Sequence, residues 1–261
     1  MTSHANELSL AAGTVLDAGP AGTLRAAASA GFDAAGLRLD PAAVTPAEAA
    51  ELRGLADDLG VRVLDLEVVR LGPAGSLDDH LRLLELAGIL GARYLLTTSG
   101  HPDPSATTAD LERLCAAAAG GPTLVAFEFM MFTAVGTLAE ALTLTPPEAV
   151  VLVDPLHLHR GGTAPEAIAG LTAERLGYLQ LCDAPAAAPG DGGPEALANE
   201  ARHHRLPPGA GDLPLAALFA HAPAGLPLSV EVQSEDLTAR FDPPARAKHL
   251  LELARSFLGS L

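Results

Sequence analysis

The segment TPAEAAELRGLADDLGVRVLDLEV (45–68) places a helix and a strand in immediate succession, and that pairing decides the fold. Thr45 offers a side-chain oxygen to the unpaired N–H groups of a helix start, and Pro46 suits the first turn. Glu48 favours the positive end of the helix, and Gly60 stops it. The Val/Leu-rich run at 61–69 then reads as a strand. SLDDHLRLLELAGILG (76–91) repeats the helical half, opening on Ser76 and ending at Gly91. Further strand-like runs lie near 7–12, 34–39, 92–98, 122–129, 149–154, 176–183 and 226–232, and a last helix near 244–258 is expected directly after the eighth strand. Strands joined through helices are parallel. Eight such repeats fill 261 residues, close to the roughly 250 of one (β/α)8 barrel. The expectation is an α/β chain whose residues 1–261 form a single-domain TIM barrel. AAGTVLDAG (11–19) is a poor match to the GxGxxG turn of an open dinucleotide-binding sheet.

One connection breaks the rhythm. Residues 184–212, APAAAPGDGGPEALANEARHHRLPPGAGD, form a long Pro/Gly/Ala-rich excursion with a short helical patch. Loops of that length are commonly functional or disordered. The two readings are a surface insert and a lid over the barrel mouth carrying Arg202, His203, His204 and Arg205.

Composition narrows the function. Hydrophobic residues make up 49% of the chain and aromatics 3%, so Leu, Val and Ala must fill the core. A net charge of −16 opposes nucleic acid and anionic membranes but not a metal cation. Cys115 and Cys182 are too few for a disulfide framework and suit a reducing cytosol. MTSHANELSL (1–10) has no basic-then-apolar signal pattern, and no apolar run approaches the ~20 residues of a membrane span. These features predict a soluble cytoplasmic protein that takes a small molecule, with a homo-oligomer left open.

Side chains alternate across a strand, and the face toward the helices must be apolar, which identifies the inward set by elimination. In TLVAFEF (123–129) Val125, Phe127 and Phe129 face the helices, leaving Glu128 inside. In YLQLCD (178–183) the inward set is Tyr178, Gln180 and Cys182. In LSVEV (228–232) it includes Ser229 and Glu231, with Gln233 following. AVVLVD (149–154) is apolar on both sets and ends in Asp154, so alternation leaves its direction undecided. Assigning Leu37 and Leu39, and then Leu64, Leu66 and Val68, to the helix side turns Arg38 and Glu67 inward. Glu128, Asp154, Gln180 and Glu231 thus stand at or near the C-terminal ends of strands five to eight, where barrel active sites are built. Carboxylates buried together repel one another and take up protons unless a cation joins them. Three carboxylates and an amide oxygen form a hard oxygen site suited to one Mn²⁺ or Mg²⁺, with Co²⁺ or Zn²⁺ also accommodated.

FEF around Glu128, DPLHLHRGG (154–162), LQLCDAP (179–185), LPPGAGDLPL (206–215) and SVEV (229–232) resemble the xylose-isomerase-like barrel superfamily. That superfamily includes sugar phosphate isomerases, ketose epimerases, inosose-processing enzymes and dehydroshikimate dehydratases. The resemblance implies that Glu128, Asp154, Gln180 and Glu231 bind one metal and that His157, of the Asp-x-x-His pair, stands beside substrate. Two positions depart from the pattern. Gln180 replaces the common strand-seven His, as in some dehydratase-type relatives, and PGAGD carries Ala210 where an acid is usual.

The chemistry expected of this set is proton abstraction beside a carbonyl, with Glu128 and Glu231 as bases and acids and a metal-stabilised enediolate between them. Returning the proton gives epimerisation or isomerisation of a keto-polyol, and expelling a β-hydroxyl gives dehydration. Isomerase or epimerase is the first reading, dehydratase (a lyase) the second, and a non-catalytic barrel subunit the third. A DNA-repair endonuclease, also found in this superfamily, looks to need more strand-end His than this chain has. Arg38, Glu67, His101, Arg202 and Arg205 are expected at the substrate, with Arg205 suited to a carboxylate or phosphate. Asp183, on the opposite set from Gln180, is expected to anchor a loop.

Overall fold

Thr45 does cap its helix. Its Oγ1 accepts from the Glu48 N–H at 3.2 Å, while the Glu48 carboxylate accepts from the Thr45 N–H at 2.8 Å. The helix runs Pro46–Leu59 and ends at Gly60, whose φ of 67° is the left-handed conformation glycine adopts without strain. The strand that follows is one of eight. The computed structural model describes residues 6–261. Within them lie β1 (Leu8–Leu10), β2 (Ala34–Arg38), β3 (Arg62–Leu71), β4 (Tyr94–Ser99), β5 (Leu124–Glu128), β6 (Val150–Val153), β7 (Leu176–Leu181) and β8 (Leu228–Val230). Each pairs in parallel with its sequence neighbours, and β1 closes on β8 with Leu8 beside Leu228, giving the expected (β/α)8 barrel. Residues 1–5, which begin the stretch read against a signal segment, lie outside the described residues.

The inward and outward sets sort as alternation demands in β5, β7 and β8. Val125 and Phe127, Leu179 and Leu181, and Leu228 and Val230 join the core between sheet and helices. A second, smaller apolar cluster fills the barrel interior around Ala126, Val150, Leu152, Tyr94 and Tyr178. The two tyrosines, the only ones in the chain, pack with ring centroids 5.0 Å apart, and Tyr94 donates to the Gly177 carbonyl at 2.9 Å. Val150 and Leu152 face inward, so Asp154, two residues on, continues the inward set.

β3 corrects the alternation argument. Between Ala35 and Leu37 of β2 its register advances by an extra residue, and it does so again opposite β4 between Leu66 and Val69. Each bulge turns two consecutive residues the same way. Leu64 therefore packs inside the barrel, and Val68 lies against that same inner cluster, while Leu66 alone of the three faces the helices. Asp65, fully buried, approaches the backbone of Gly36, where a side chain would collide with its carboxylate.

One connection also differs from expectation. A short helix, Glu235–Arg240, intervenes between β8 and the last helix, Pro243–Leu258. The excursion after β7 is pinned to the barrel. Its helix Pro194–His203 carries Glu200, which pairs with Arg160 at 2.7 Å with both side chains buried. Arg160 also donates to the carbonyls of Pro185, Ala186 and Ala187. Among the described residues no helix is long and apolar enough to cross a membrane.

Candidate functional site

A cavity of about 380 Å³ opens at the C-terminal ends of the strands. Glu128 and Glu231 reach it from β5 and from just beyond β8, Arg38 and Glu67 from β2 and β3, and Arg202 and Arg205 from the excursion. A cleft of about 500 Å³ lies at the opposite end around Glu7, Arg62 and Arg93. Barrel chemistry belongs to the C-terminal end, whose loops can vary without disturbing the sheet.

Asp154 is held from two sides. It caps the helix Pro155–Arg160, its Oδ1 accepting from the N–H of Leu156 at 2.6 Å and of His157 at 3.4 Å. That cap aims His157 back at the mouth. His157 Nε2 lies 3.6 Å from Glu128 Oε1, and its Nδ1 lies 2.8 Å from Met131 Sδ. Glu128, Asp154 and His157 each offer an atom within 4.8 Å of the others, a spacing that suits a metal ion. Glu231 is held by Gln233, whose Nε2 donates to Oε1 at 3.0 Å. Gly13 makes room for both, since a Cβ there would lie 2.5 Å from Gln233 Nε2 and 2.6 Å from Glu231 Oε1.

Arg205 is the unforeseen centre of this arrangement. Its guanidinium is buried, donates to Asp154 Oδ2 and to Cys182 Sγ, and lies 3.7 Å from Glu231 Oε2. A second donor, Nε, is fixed on the Ala201 carbonyl at 2.7 Å. The side chain expected to grip substrate thus ties two site carboxylates together. Asp183 anchors the next loop, accepting from the N–H groups of Ala184, Gly209, Gly211 and Leu213.

Charge and burial divide the acids. Burial pushes the Glu128 carboxyl well above the usual carboxylate range, and the negative Glu231 and Asp154 add to this. Glu231 is raised as well, first by burial, with Arg205 opposing and Glu67 adding. Burial works the same way on Asp154, but the Arg205 charge, together with the hydrogen bonds from Arg205 and the Leu156 N–H, outweighs it and holds that group ionised near pH 7. Burial lowers His157 to about 4, so its ring is neutral near pH 7.

The sequence-selected residues fall into three groups. Glu128, Glu231, His157, Arg38, Glu67, Arg202 and Arg205 line the cavity. Arg38 and Glu67 pair with each other at 2.6 Å. Asp154 and Gln180 are buried beneath it, and Gln180 Oε1 has no hydrogen-bond partner. His101 is placed away from the cavity lining, because its Nε2 pairs with Asp110 on the helix Pro104–Ala118 at 2.7 Å. Arg70 was missed. β3 runs to Leu71, past the expected end at 69, and this carries Arg70 to the cavity wall.

The donor set fits a divalent cation. A buried amide oxygen without a partner and a cluster of carboxylates with raised proton affinity are what a hard cation relieves.

Solved structures share the fold. A xylose isomerase-like TIM barrel/4-hydroxyphenylpyruvate dioxygenase fusion protein is 23% identical with a TM-score of 0.77 over 95% of this chain, which spans 42% of the fusion protein. A xylose isomerase domain containing protein from Salmonella typhimurium LT2 is 18% identical, TM-score 0.78, with 99% of each chain covered. D-psicose 3-epimerase from Clostridium cellulolyticum H10, solved with D-tagatose, is 14% identical, TM-score 0.67, covering 97% of this chain and 99% of its own. No curated protein matches the chain. The family description "xylose isomerase-like TIM barrel" matches residues 24–257, and the chain belongs to that family.

Proposed function

We propose that this protein is a divalent-metal-dependent isomerase or epimerase of a keto-polyol. The observation that carries the reading is the pair of buried carboxyls, Glu128 and Glu231, which reach one cavity from the ends of different strands, with His157 Nε2 3.6 Å from Glu128. A general base works best when its affinity approaches the working pH, and a raised carboxyl moves in that direction. In this reading Glu128, Asp154, Gln180 and Glu231 would hold the cation, with His157 at its edge. The cation, when bound, supplies polarisation of a carbonyl.

The chain's own residues do the rest. One of Glu128 and Glu231 removes the proton beside the carbonyl and the other returns it. His157 Nε2, neutral and 3.6 Å from Glu128, orients a substrate hydroxyl between them. Arg205 keeps Asp154 ionised. The helix Pro194–His203, pinned through Glu200, acts as a lid.

Epimerases among the solved structures of this fold support the reading, D-allulose 3-epimerase from Methylomonas in complex with D-allulose being one. The IolI protein, of the same fold, carries a bound zinc atom and supports the cation. Dehydration is the second reading, favoured by Gln180 at the strand-seven position. Incubation of Mn²⁺-loaded protein with a panel of ketohexoses and keto-inositols in D₂O tests both. Deuterium entering carbon without loss of water supports isomerisation or epimerisation. A conjugated carbonyl absorbance indicates dehydration instead, and no exchange with any member overturns the proposal.

A further inference from the structure

The chain carries 16 basic residues against 32 acidic ones, yet four arginines, Arg38, Arg70, Arg202 and Arg205, line one cavity at the barrel mouth. Two of them are already neutralised: Arg205 by Asp154 and Glu231, and Arg38 in part by Glu67. Arg38 still has a buried Nε without a hydrogen-bond partner. Arg70 and Arg202 have no carboxylate partner among the described residues. Arg202 instead lies over the Phe132 ring, 5.5 Å from its centroid, and Phe132 in turn meets His157 edge-on at 5.6 Å.

The positions of these arginines matter as much as their charge. Arg38 and Arg70 stand at the ends of β2 and β3, while Arg202 comes from the helix after β7. Arg70 feels the charges of both Arg38 and Arg202, and these, after burial, lower its affinity for its proton. Asp40 and Asp79 lie on the far side of the Arg38–Arg70 wall, and neither pairs with it. Neighbouring guanidinium groups repel one another, and an anion between them relieves that repulsion.

We propose that the cavity takes a substrate bearing an oxyanion, a carboxylate or a phosphate, and that Arg38, Arg70 and Arg202 receive that group while the polyol end lies over Glu128 and Glu231. Guanidinium groups suit both anions, because their planar donors match two oxygens at once. Arg70 and Arg202 are then specificity-determining residues: they select an acidic keto-polyol over a neutral one. The proposal rests on reading this cavity as a substrate pocket.

The test is binding without turnover, so that its failure is separable from an absence of solvent exchange. The full chain, loaded with Mn²⁺ in chloride buffer, is titrated calorimetrically with D-gluconate, D-glucitol 6-phosphate and D-glucitol. At least one anion is expected to bind about tenfold or more tightly than D-glucitol, as a charge-assisted contact provides. Which anion wins distinguishes the carboxylate from the phosphate source. In an Arg70→Gln/Arg202→Gln variant the preference should fall to within about twofold, and Arg70→Lys/Arg202→Lys should recover part of it. Both side chains are exposed, and an unchanged melting temperature shows that the variants fold. The proposal is overturned if neither anion binds more tightly than D-glucitol, absence of all binding included, or if the preference survives in the glutamine variant.

Discussion

Arg205 donates one guanidinium nitrogen to Asp154 Oδ2 while the other lies 3.7 Å from Glu231 Oε2, so a single cation joins the ends of β6 and β8 across β7. The pair is fully buried, and its strength comes from mutual neutralisation in a medium that solvates charge poorly. Removing one member of such a pair costs about 3–5 kcal/mol, mainly because the other stays buried and unpaired. Arg205→Met should lower unfolding free energy in urea by that order. Asp154→Asn added to it should restore part of the loss, since a neutral amide needs no counter-charge. Equal and additive losses in the two single variants would show that they are not coupled.

His157 sets a pH dependence whose sign follows from burial. Its folded value, about 4, lies below the unfolded 6.5, so the folded state resists protonation. Its contribution to stability is complete above pH 6.5 and is lost as pH falls toward 4, amounting to about 3 kcal/mol across that window. Asp154, also lowered, acts in the same direction, and the raised Glu128 opposes it. Comparison with His157→Gln removes one term and leaves the others. The stability lost between pH 7 and pH 4 should be about 3 kcal/mol greater in the wild type; identical slopes would place His157 in contact with solvent.

Gly13 is where a small change should reach the site without replacing a charged residue. A Cβ would lie 2.6 Å from Glu231 Oε1 and 2.5 Å from Gln233 Nε2, and both are ends of flexible side chains that can rotate away. Gly13→Ala should therefore fold with a melting temperature close to wild type yet lose about tenfold or more of its exchange activity, the scale on which a catalytic group out of place by ~1 Å is felt. Unchanged turnover in a folded Gly13→Ala protein would mean that the position of Glu231 is not critical.

The barrel was legible because its signals are local. Capping residues, glycine stops and apolar runs mark each unit, and strict alternation in β5 and β8 turned Glu128 and Glu231 toward the mouth, where both line the cavity. β3 defeated the same reasoning. Its sequence alternates regularly, Leu64, Leu66 and Val68 against Asp65 and Glu67, so two bulges that turn Leu64 and Val68 inward leave no mark in the hydrophobic pattern. Arg205 was legible as a site residue but not as the partner of Asp154, 51 positions away, because no short-range pattern records a contact made by closing the barrel. His101 shows the converse: a strand-end histidine is drawn from the mouth by Asp110, nine residues later on the adjoining helix.

Asp183 offers a separate check on the loop after β7. Its carboxylate accepts from four backbone N–H groups, three of them in Gly209–Leu213, and Gly211 has no room for a side chain beside it. Charge-assisted bonds of this kind each contribute about 1.5–3 kcal/mol. Asp183→Ala should destabilise the protein by several kcal/mol and open 206–215 to proteolysis, with Asp183→Asn intermediate. Proteolysis confined to other loops would show that Asp183 does not organise this one.

The most direct test of the account is the stoichiometry of Mn²⁺ binding, measured by electron paramagnetic resonance on protein first stripped with chelator. One tightly bound ion per chain is expected in the wild type, with affinity about tenfold or more weaker in Glu128→Gln and in Glu231→Gln, each of which replaces a ligand carboxylate by a neutral amide. A wild-type protein that binds no Mn²⁺, or binds it equally well without either carboxylate, would contradict the claim that this cluster is a cation site.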